Sequence, residues 1–398
     1  MALKPDQPEL FNPSPPAAAN LTDEERIACL RLIRSENVGP VTFRDLINYY
    51  GGAAKALEIL PTLSRRGGSG RPIRICPKAD AERELATAAR IGATPFFTVE
   101  RGYPEVLADV EAPPPILYVK GDLNLLKRPA IAIVGSRQCS AAGVQLTRLF
   151  AAQLAEAGFV IVSGLARGID KAAHEASLAS GTVAVVAGGI DWVYPPEHAD
   201  LQARIGSEGC LVSERPPGLK PRDKDFPRRN RVIAGLVYGV VIIEAAARSG
   251  TLVTARYANE LGREVFAVPG HPLDPRAEGT NRLIKQGAAL VTEVSDIIDV
   301  LQPILGLTER RFDFAGREPQ PVAQPSMPAA APEMASEDVL NAVLTALGPA
   351  PVATDAIARQ TGLHVQAVQV ALLELDLAGR IERQGQSLVA LKTTANGA

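Results

Sequence analysis

Apolar positions along this chain change their spacing three times. Between residues 21 and 93 the spacing is helical, with Ile27, Leu30 and Ile33 on one face. Thr22 and Glu25 open that first helix as a capping box, and the pattern breaks at Val38, Gly39 and Pro40. A second helix is predicted from about Val41 until Gly51 and Gly52 stop it. Helix, Gly-Pro turn and helix have the form of a helix-hairpin-helix or SAM-like unit. Few basic residues flank the turn, so it reads as a packing module. Residues 65–74, rich in Arg and Gly, predict a mobile loop, and residues 80–90 a further helix.

From about residue 94 the spacing changes to short apolar, β-branched runs at 116–119, 130–135, 159–163, 182–187, 211–213, 240–245, 264–268 and 288–291. Amphipathic helical segments lie between most of them. Runs apolar on both faces are expected of parallel strands covered by helices, which predicts an open, doubly wound α/β sheet over residues 94–308. Residues 309–335 predict a Pro/Ala-rich linker. Three helices at 336–347, 354–361 and 364–378, then a hairpin, predict a winged helix over 336–392. The first 20 residues, also Pro/Ala-rich, predict a disordered tail.

Composition narrows the function. A formal net charge of -2 removes the simplest nucleic-acid signature, a strongly basic chain, so any polyanion site has to come from local placement of cations and N–H groups. The four cysteines, Cys29, Cys76, Cys139 and Cys210, form no C-x-x-C pair and predict reduced thiols rather than a zinc site or disulfide framework. The N-terminus is not that of a signal peptide, and no stretch is apolar enough to span a bilayer. The expectation is a cytoplasmic protein with no membrane partner.

In an open parallel sheet ligands bind beyond the carboxyl ends of the strands, and the notable residues fall there. Gly135, Ser136 and Arg137 follow one strand and Gly143 lies early in the next helix. Ser163 and Gly164 to Gly168 follow another, with glycines spaced to form an anion nest and Arg167 adding charge. A tight turn with Asp170 as cap explains much of that loop, but not Arg167. The run KPRDKDFPRRNR from Lys220 to Arg231 carries Arg228, Arg229, Asn230 and Arg231 into an apolar helix. Charge runs are ordinarily solvated surface, yet cations held at a helix start can meet phosphate. Phe226 could stack on a base, or be buried. Ser249, Gly250 and Thr251 open a further helix, and Gly279, Thr280 and Asn281 repeat the theme. One such loop means little, whereas several along one sheet edge form a track for phosphates.

The sequence has no P-loop, no G-x-G-x-x-G fingerprint and no zinc deaminase pattern. His174, His198 and His271 have no evident Ser or Cys partner. Glu244, at a strand end, is the one carboxylate that stands out as a candidate catalytic group.

The segments VGSR (134–137), SGLARGID (163–170), FPRRNRVIAGL (226–236), IEAAARSGTLVTA (243–255), VFAVPG (265–270) and GTNRLIKQGA (279–288) resemble the DprA/Smf family of DNA processing proteins in content, order and spacing. The resemblance implies an extended Rossmann-like domain, with the SAM-like and winged-helix segments as its flanking parts. It further implies a homodimer that binds and protects single-stranded DNA and hands it to the RecA recombinase, without cofactor and without covalent chemistry. The phosphate contacts carried over are Ser136, Arg137, Ser163, Gly164, Arg167, Gly168, Arg228, Asn230, Arg231, Ser249 and Gly250, beside Gly135 and Thr251 from the strand-end reading. The rival is a phosphoribohydrolase-type enzyme of similar fold, which carries P-G-G-x-G-T-x-x-E. Here the comparable stretch from Ser249 to Thr254 has no acid after the Thr. A scaffold that binds only proteins leaves the Arg and Gly at strand ends unexplained. The third helix of the winged segment has no Lys or Arg and carries Glu374 and Asp376. A protein contact or a dimer contact, not a DNA groove, is expected there.

Overall fold

A computed structural model describes residues 20–313, 335–384 and 388–392. The expected disordered tail and most of the expected linker lie outside the described residues. The described residues fall into two compact units: one from 20–78, 99–101 and the described part of 335–392, the other from 79–98 and 102–313.

The first unit begins with helices α1 (Asp23–Arg34), α2 (Pro40–Tyr50) and α3 (Ala53–Arg66). The capping box forms: Glu25 N–H donates to Thr22 Oγ1 at 3.3 Å, and Thr22 N–H to Glu25 Oε2 at 2.8 Å. Helix α3, with Pro61 inside it, fills the stretch between the Gly51–Gly52 stop and the Arg-rich loop. Helix α4 (Lys78–Arg90) leads into the second unit.

That second unit is built on nine strands: β1 (Thr94–Phe97), β2 (Ile116–Gly121), β3 (Ala130–Gly135), β4 (Val160–Ser163), β5 (Thr182–Val185), β6 (Cys210–Ser213), β7 (Gly239–Ile243), β8 (Glu264–Ala267) and β9 (Ala289–Leu290). Their order is β1-β2-β6-β5-β4-β3-β7-β8-β9. The pairs from β6 through β9 are parallel. β1 and β2 close one edge antiparallel, a departure from a wholly parallel sheet. Between the strands run α5 (Glu105–Ala108), α6 (Ala141–Glu156), α7 (Ile169–Ser177), α8 (Ala199–Glu208), α9 (Asp225–Gly235), α10 (Thr251–Glu260) and α11 (Glu278–Lys285), and α12 (Val294–Asp313) follows β9.

Strand β3 shows why both faces are apolar. Ala130, Ala132 and Val134 join a core with Val232, Ile233 and Ala255 of α9 and α10, while Ile131 and Ile133 join another with Phe150 of α6 and Ile297 of α12. Each fully buried large aliphatic contributes about 1.5–3 kcal/mol. From β3 the chain winds to β4, β5 and β6 on one side, then returns to β7, β8 and β9 on the other. The crevice between β3 and β7 is therefore the topological switch point.

Residues 335–392 as described form α13 (Glu337–Ala346), β10 (Val352–Ala353), α14 (Thr354–Thr361), α15 (Val365–Leu377), β11 (Ile381–Gln384) and β12 (Leu388–Leu391), a winged helix. Its third helix, α15, lies against the N-terminal helices of the same unit. Thr42 Oγ1 donates to Asp376 Oδ2 at 2.7 Å, Asn37 Nδ2 to Leu377 O at 3.0 Å and Tyr49 OH to Gln369 Oε1 at 3.1 Å. Arg66 pairs with the buried Glu374 at 3.3 Å. The acidic residues of α15 are thus in protein contact, within the chain.

Candidate nucleic-acid interface

The loop after β3 and the loop after β4 are pressed backbone to backbone. Gly168 has φ +74°, and a Cβ there would stand 2.3 Å from Ser136 O. Ile169 N–H donates to the same oxygen at 3.2 Å. Glycine is required here by the close approach of the chain to itself. Gly135 is equally confined, since a Cβ would meet Ile243 O at 1.9 Å. Both glycines build the loop platform rather than admit a ligand.

On that platform Arg137 is exposed, with its guanidinium 5.7 Å from the centre of the Phe226 ring. Phe226, half-buried at the start of α9, also meets Tyr194, ring centres 5.2 Å apart and planes tilted by 59°. Trp192 and Tyr194 are 38% and 43% exposed. Together with Gly164, Arg167, Gly188 and Arg229 these residues line an open cleft of about 470 Å³. Arg167 stands exposed in the β4–α7 loop and pairs with Glu197.

Arg229 is the main addition to the expected residues. It is only 8% exposed, and its Nη1 donates to Val185 O at 2.5 Å and to Gly164 O. A Cβ on Gly164 would fall 2.7 Å from that guanidinium, so the glycine makes room for the arginine. Burial brings the Arg229 guanidinium down to about 10, with Asp170 pulling the other way. It remains a cation at neutral pH, held by neutral carbonyls beside the cleft. Burial likewise raises the Asp170 carboxyl, against the pull of Arg229. Asp170 accepts from Ala166 N–H at 3.3 Å and so ties its own loop.

Several expected contacts are engaged elsewhere. Ser163 is buried, and its hydroxyl donates to Ile133 O at 2.6 Å, so its side chain supports the sheet. Ser136 Oγ accepts from Gln138 N–H at 3.1 Å within its turn. Arg231 donates to Ala112 O and lies 3.6 Å from Glu214, turned into the protein rather than to the cleft. Arg228 is exposed but pairs with Glu214 at 3.1 Å. Residues two apart on a helix cannot share a face, which separates Arg231 from Arg229. Asn230 donates to Gly250 O at 3.3 Å, Thr251 N–H to Ser249 Oγ at 3.2 Å and Thr251 Oγ1 to Gly135 O at 3.0 Å. These four residues form a neighbouring cluster that joins α9 to the start of α10. They do not line the cleft.

Glu244 is also accounted for. It sits at the end of β7 with φ +54°, and its carboxylate accepts from Ser140 N–H at 2.9 Å and from Ser140 Oγ. Ser140 in turn caps α6 by accepting from Gly143 N–H at 2.9 Å. A Cβ on Gly143 would stand 2.8 Å from the Glu244 carboxyl. The switch-point crevice is thus filled by the chain's own anion, at a helix start where negative charge is favoured. His198 Nδ1 lies 3.0 Å from Leu165 O and His174 Nδ1 2.8 Å from Thr182 Oγ1, both buried structural contacts. Among the described residues no cluster of His, Cys, Asp and Glu could hold a metal, and no helix is long and apolar enough to cross a membrane.

Sequence reasoning missed Trp192, Tyr194 and the burial of Arg229. The signal for the aromatics was present: the chain's single Trp, between Gly188–Gly189 and Pro195–Pro196, after a strand end.

Comparison with known proteins covers all three segments. The family described as DNA recombination-mediator protein A matches residues 95–302, the DprA-like N-terminal HHH domain residues 23–87, and the DprA winged helix domain residues 327–386. Protein Smf of Escherichia coli (strain K12) is 43% identical over 285 residues, 70% of this chain and 72% of that protein. DNA processing protein DprA of Streptococcus pneumoniae (strain R6) is 45% identical over 205 residues, 51% of this chain and 72% of that protein. The X-ray structure of DprA from Streptococcus pneumoniae matches with a TM-score of 0.60 at 35% identity, covering 70% of this chain and 98% of that one.

Proposed function

This chain belongs to the DprA/Smf family of DNA processing proteins, and from that premise we propose that it binds single-stranded DNA in the cleft between the β3, β4 and β5 loops. The observation that carries the reading is the grouping of Arg137, Trp192, Tyr194, Phe226 and Arg229 around one opening. Aromatic faces accept bases of any sequence, and the cations beside them meet the backbone charge. A duplex keeps its bases stacked and cannot offer them to such a cleft, so single strands are favoured.

The binding reading needs no covalent step. It stands ahead of nucleotide hydrolysis because the carboxylate nearest the switch point, Glu244, already accepts from the Ser140 N–H and hydroxyl. By resemblance to the family, the proposal extends to a cytoplasmic homodimer. That dimer protects single strands in natural transformation or recombination and delivers them to the RecA recombinase. No cofactor takes part.

Fluorescence anisotropy with labelled single-stranded and duplex oligonucleotides across a salt series tests the core of this. Tight single-strand binding that weakens with salt, and much weaker duplex binding, is expected. No binding of either at low salt overturns it, and hydrolysis of nucleoside monophosphates would then be assayed.

A further inference from the structure

We propose that Glu197 is an in-chain counterion for Arg167, which a DNA phosphate has to displace, and that this exchange sharpens the preference for single strands. The inference rests on the single-strand reading above. Arg167 projects from the β4–α7 loop at the rim of the cleft, with 57% of its side chain exposed, and its Nε donates to Glu197 Oε1. Glu197 is 49% exposed and belongs to the short turn Pro196–His198, two residues beyond the aromatic loop that carries Trp192 and Tyr194. Guanidinium and carboxylate therefore meet at the place where a strand backbone would pass the aromatic faces.

The pair does not hold the loops together. His198, buried, lies 3.0 Å from Leu165 O, and Gln202 donates to Ile190 O and Trp192 O at 3.2 and 3.3 Å. These contacts fix the Glu197 turn against the Arg167 loop and position the aromatics without the ion pair. An exposed pair of this kind is weak and exchangeable. A phosphate offers Arg167 the same forked acceptor geometry as the carboxylate it replaces. Arg167 holds Glu197 well below the usual carboxylate range, at about 2, so the counterion stays charged at every pH where DNA would bind.

Two physical consequences follow. Binding of DNA by free cations releases condensed counterions and is steeply salt-dependent. When Arg167 changes partner, a carboxylate is set free in the same step, so net ion release and the salt slope both shrink. The exchange also leaves little gain for a ligand that brings phosphate alone. A single strand adds stacking at Trp192 and Phe226, while a duplex or a sulfated polysaccharide does not. Glu197 thus acts as a specificity-determining residue without itself touching DNA. Arg137, set against Phe226, has no ion pair among the described residues and needs no exchange.

The test uses the full chain with Glu197→Gln, a labelled oligothymidylate, a duplex of equal length and heparin as competitor, in a salt series. Single-strand affinity should rise several-fold at low salt, with a log–log salt slope steeper by about 0.7, the share of one phosphate contact on a single strand. Duplex and heparin binding should rise more, so that discrimination falls. In an Arg167→Ala background the same Gln should change neither slope nor affinity. An unchanged or weaker affinity with an unchanged slope overturns the proposal, as does a gain that persists without Arg167. If the native chain binds DNA and the variant behaves alike, only the counterion falls. If the native chain binds no single strand, both readings fall together.

Discussion

Helices α9 and α15 each carry charge into a buried setting, with opposite results. On α9, Arg229 is satisfied by the carbonyls of Gly164 and Val185, which are neutral acceptors. Its hydrogen bonds go to neutral groups, with the buried Asp170 as the nearby opposing charge and Arg137 as the like one. On α15, Glu374 and Asp376 meet Arg66 and Arg383, at 3.3 and 3.2 Å, and the charges cancel. A buried charge held by dipoles makes an electropositive site, and one held by its opposite makes a joint. The sign of its residues was enough to read α15 as a contact helix, whereas on α9 only the partners tell which arginine belongs to the cleft.

The sharpest way to break this comparison is Arg229→Met. It leaves two carbonyls unpaired and Asp170 without its neighbouring cation, and should destabilise the second unit by about 3–5 kcal/mol in urea unfolding. Single-strand binding should go with it, and retained full affinity would refute the electropositive floor. Arg66→Ala is the matched change in the other unit. It uncovers the buried Glu374 but removes a partner that is 31% exposed, so about 2 kcal/mol is expected, with DNA affinity untouched. A parallel fall in DNA affinity would mean that the joint is also a site. Trp192→Ala should lower single-strand affinity by about 1–3 kcal/mol without lowering stability, and equal loss on duplex would remove base stacking from the account.

Acid should separate the two units. Burial depresses His174 to about 3, so its contribution is present above the ordinary histidine value near 6.5 and is lost as pH falls toward 3. Burial raises Asp45, Glu374 and Asp376, so their contribution is full below the ordinary carboxylate values and is lost as pH rises through the raised ones. Asp170, also raised, partly offsets His174. On acidification from pH 6.5, amide hydrogen exchange should open the second unit before the first, and His174→Gln should narrow the gap. The reverse order would contradict the assignment. The smallest effect is expected for Arg231→Ala, a change in single-strand affinity within about twofold, because the guanidinium faces Ala112 O and Glu214. A loss as large as that of Trp192→Ala would restore Arg231 to the site.

The strands from β3 to β8 were legible because parallel strands covered by helices are apolar on both faces, and the antiparallel β2 and the edge strand β9 were legible as short apolar runs of the same kind. β1 was not, since Pro95 and its edge position blur the signal. Helix α3 was hidden by Pro61. The loop ends that hold the cleft were visible as Gly and Arg clusters. Within FPRRNR, however, nothing in composition tells that Arg229 turns under the cleft and Arg231 away from it. That depends on where the helix lies against β5, which is a tertiary fact. Trp192 was overlooked for a related reason, because an aromatic in a loop becomes a binding face only when the opposite wall is in place.

The first unit is assembled from both ends of the chain, and Asn37 meets Leu377 across 340 positions. On the ribosome, at about 5–20 residues per second, the N-terminal helices would wait roughly 17–70 s for the partner that completes them. The sheet unit between them is finished first. Helices α1 to α3 therefore spend synthesis without the partners of Asn37, Thr42 and Arg66, and the part made earliest is closed last.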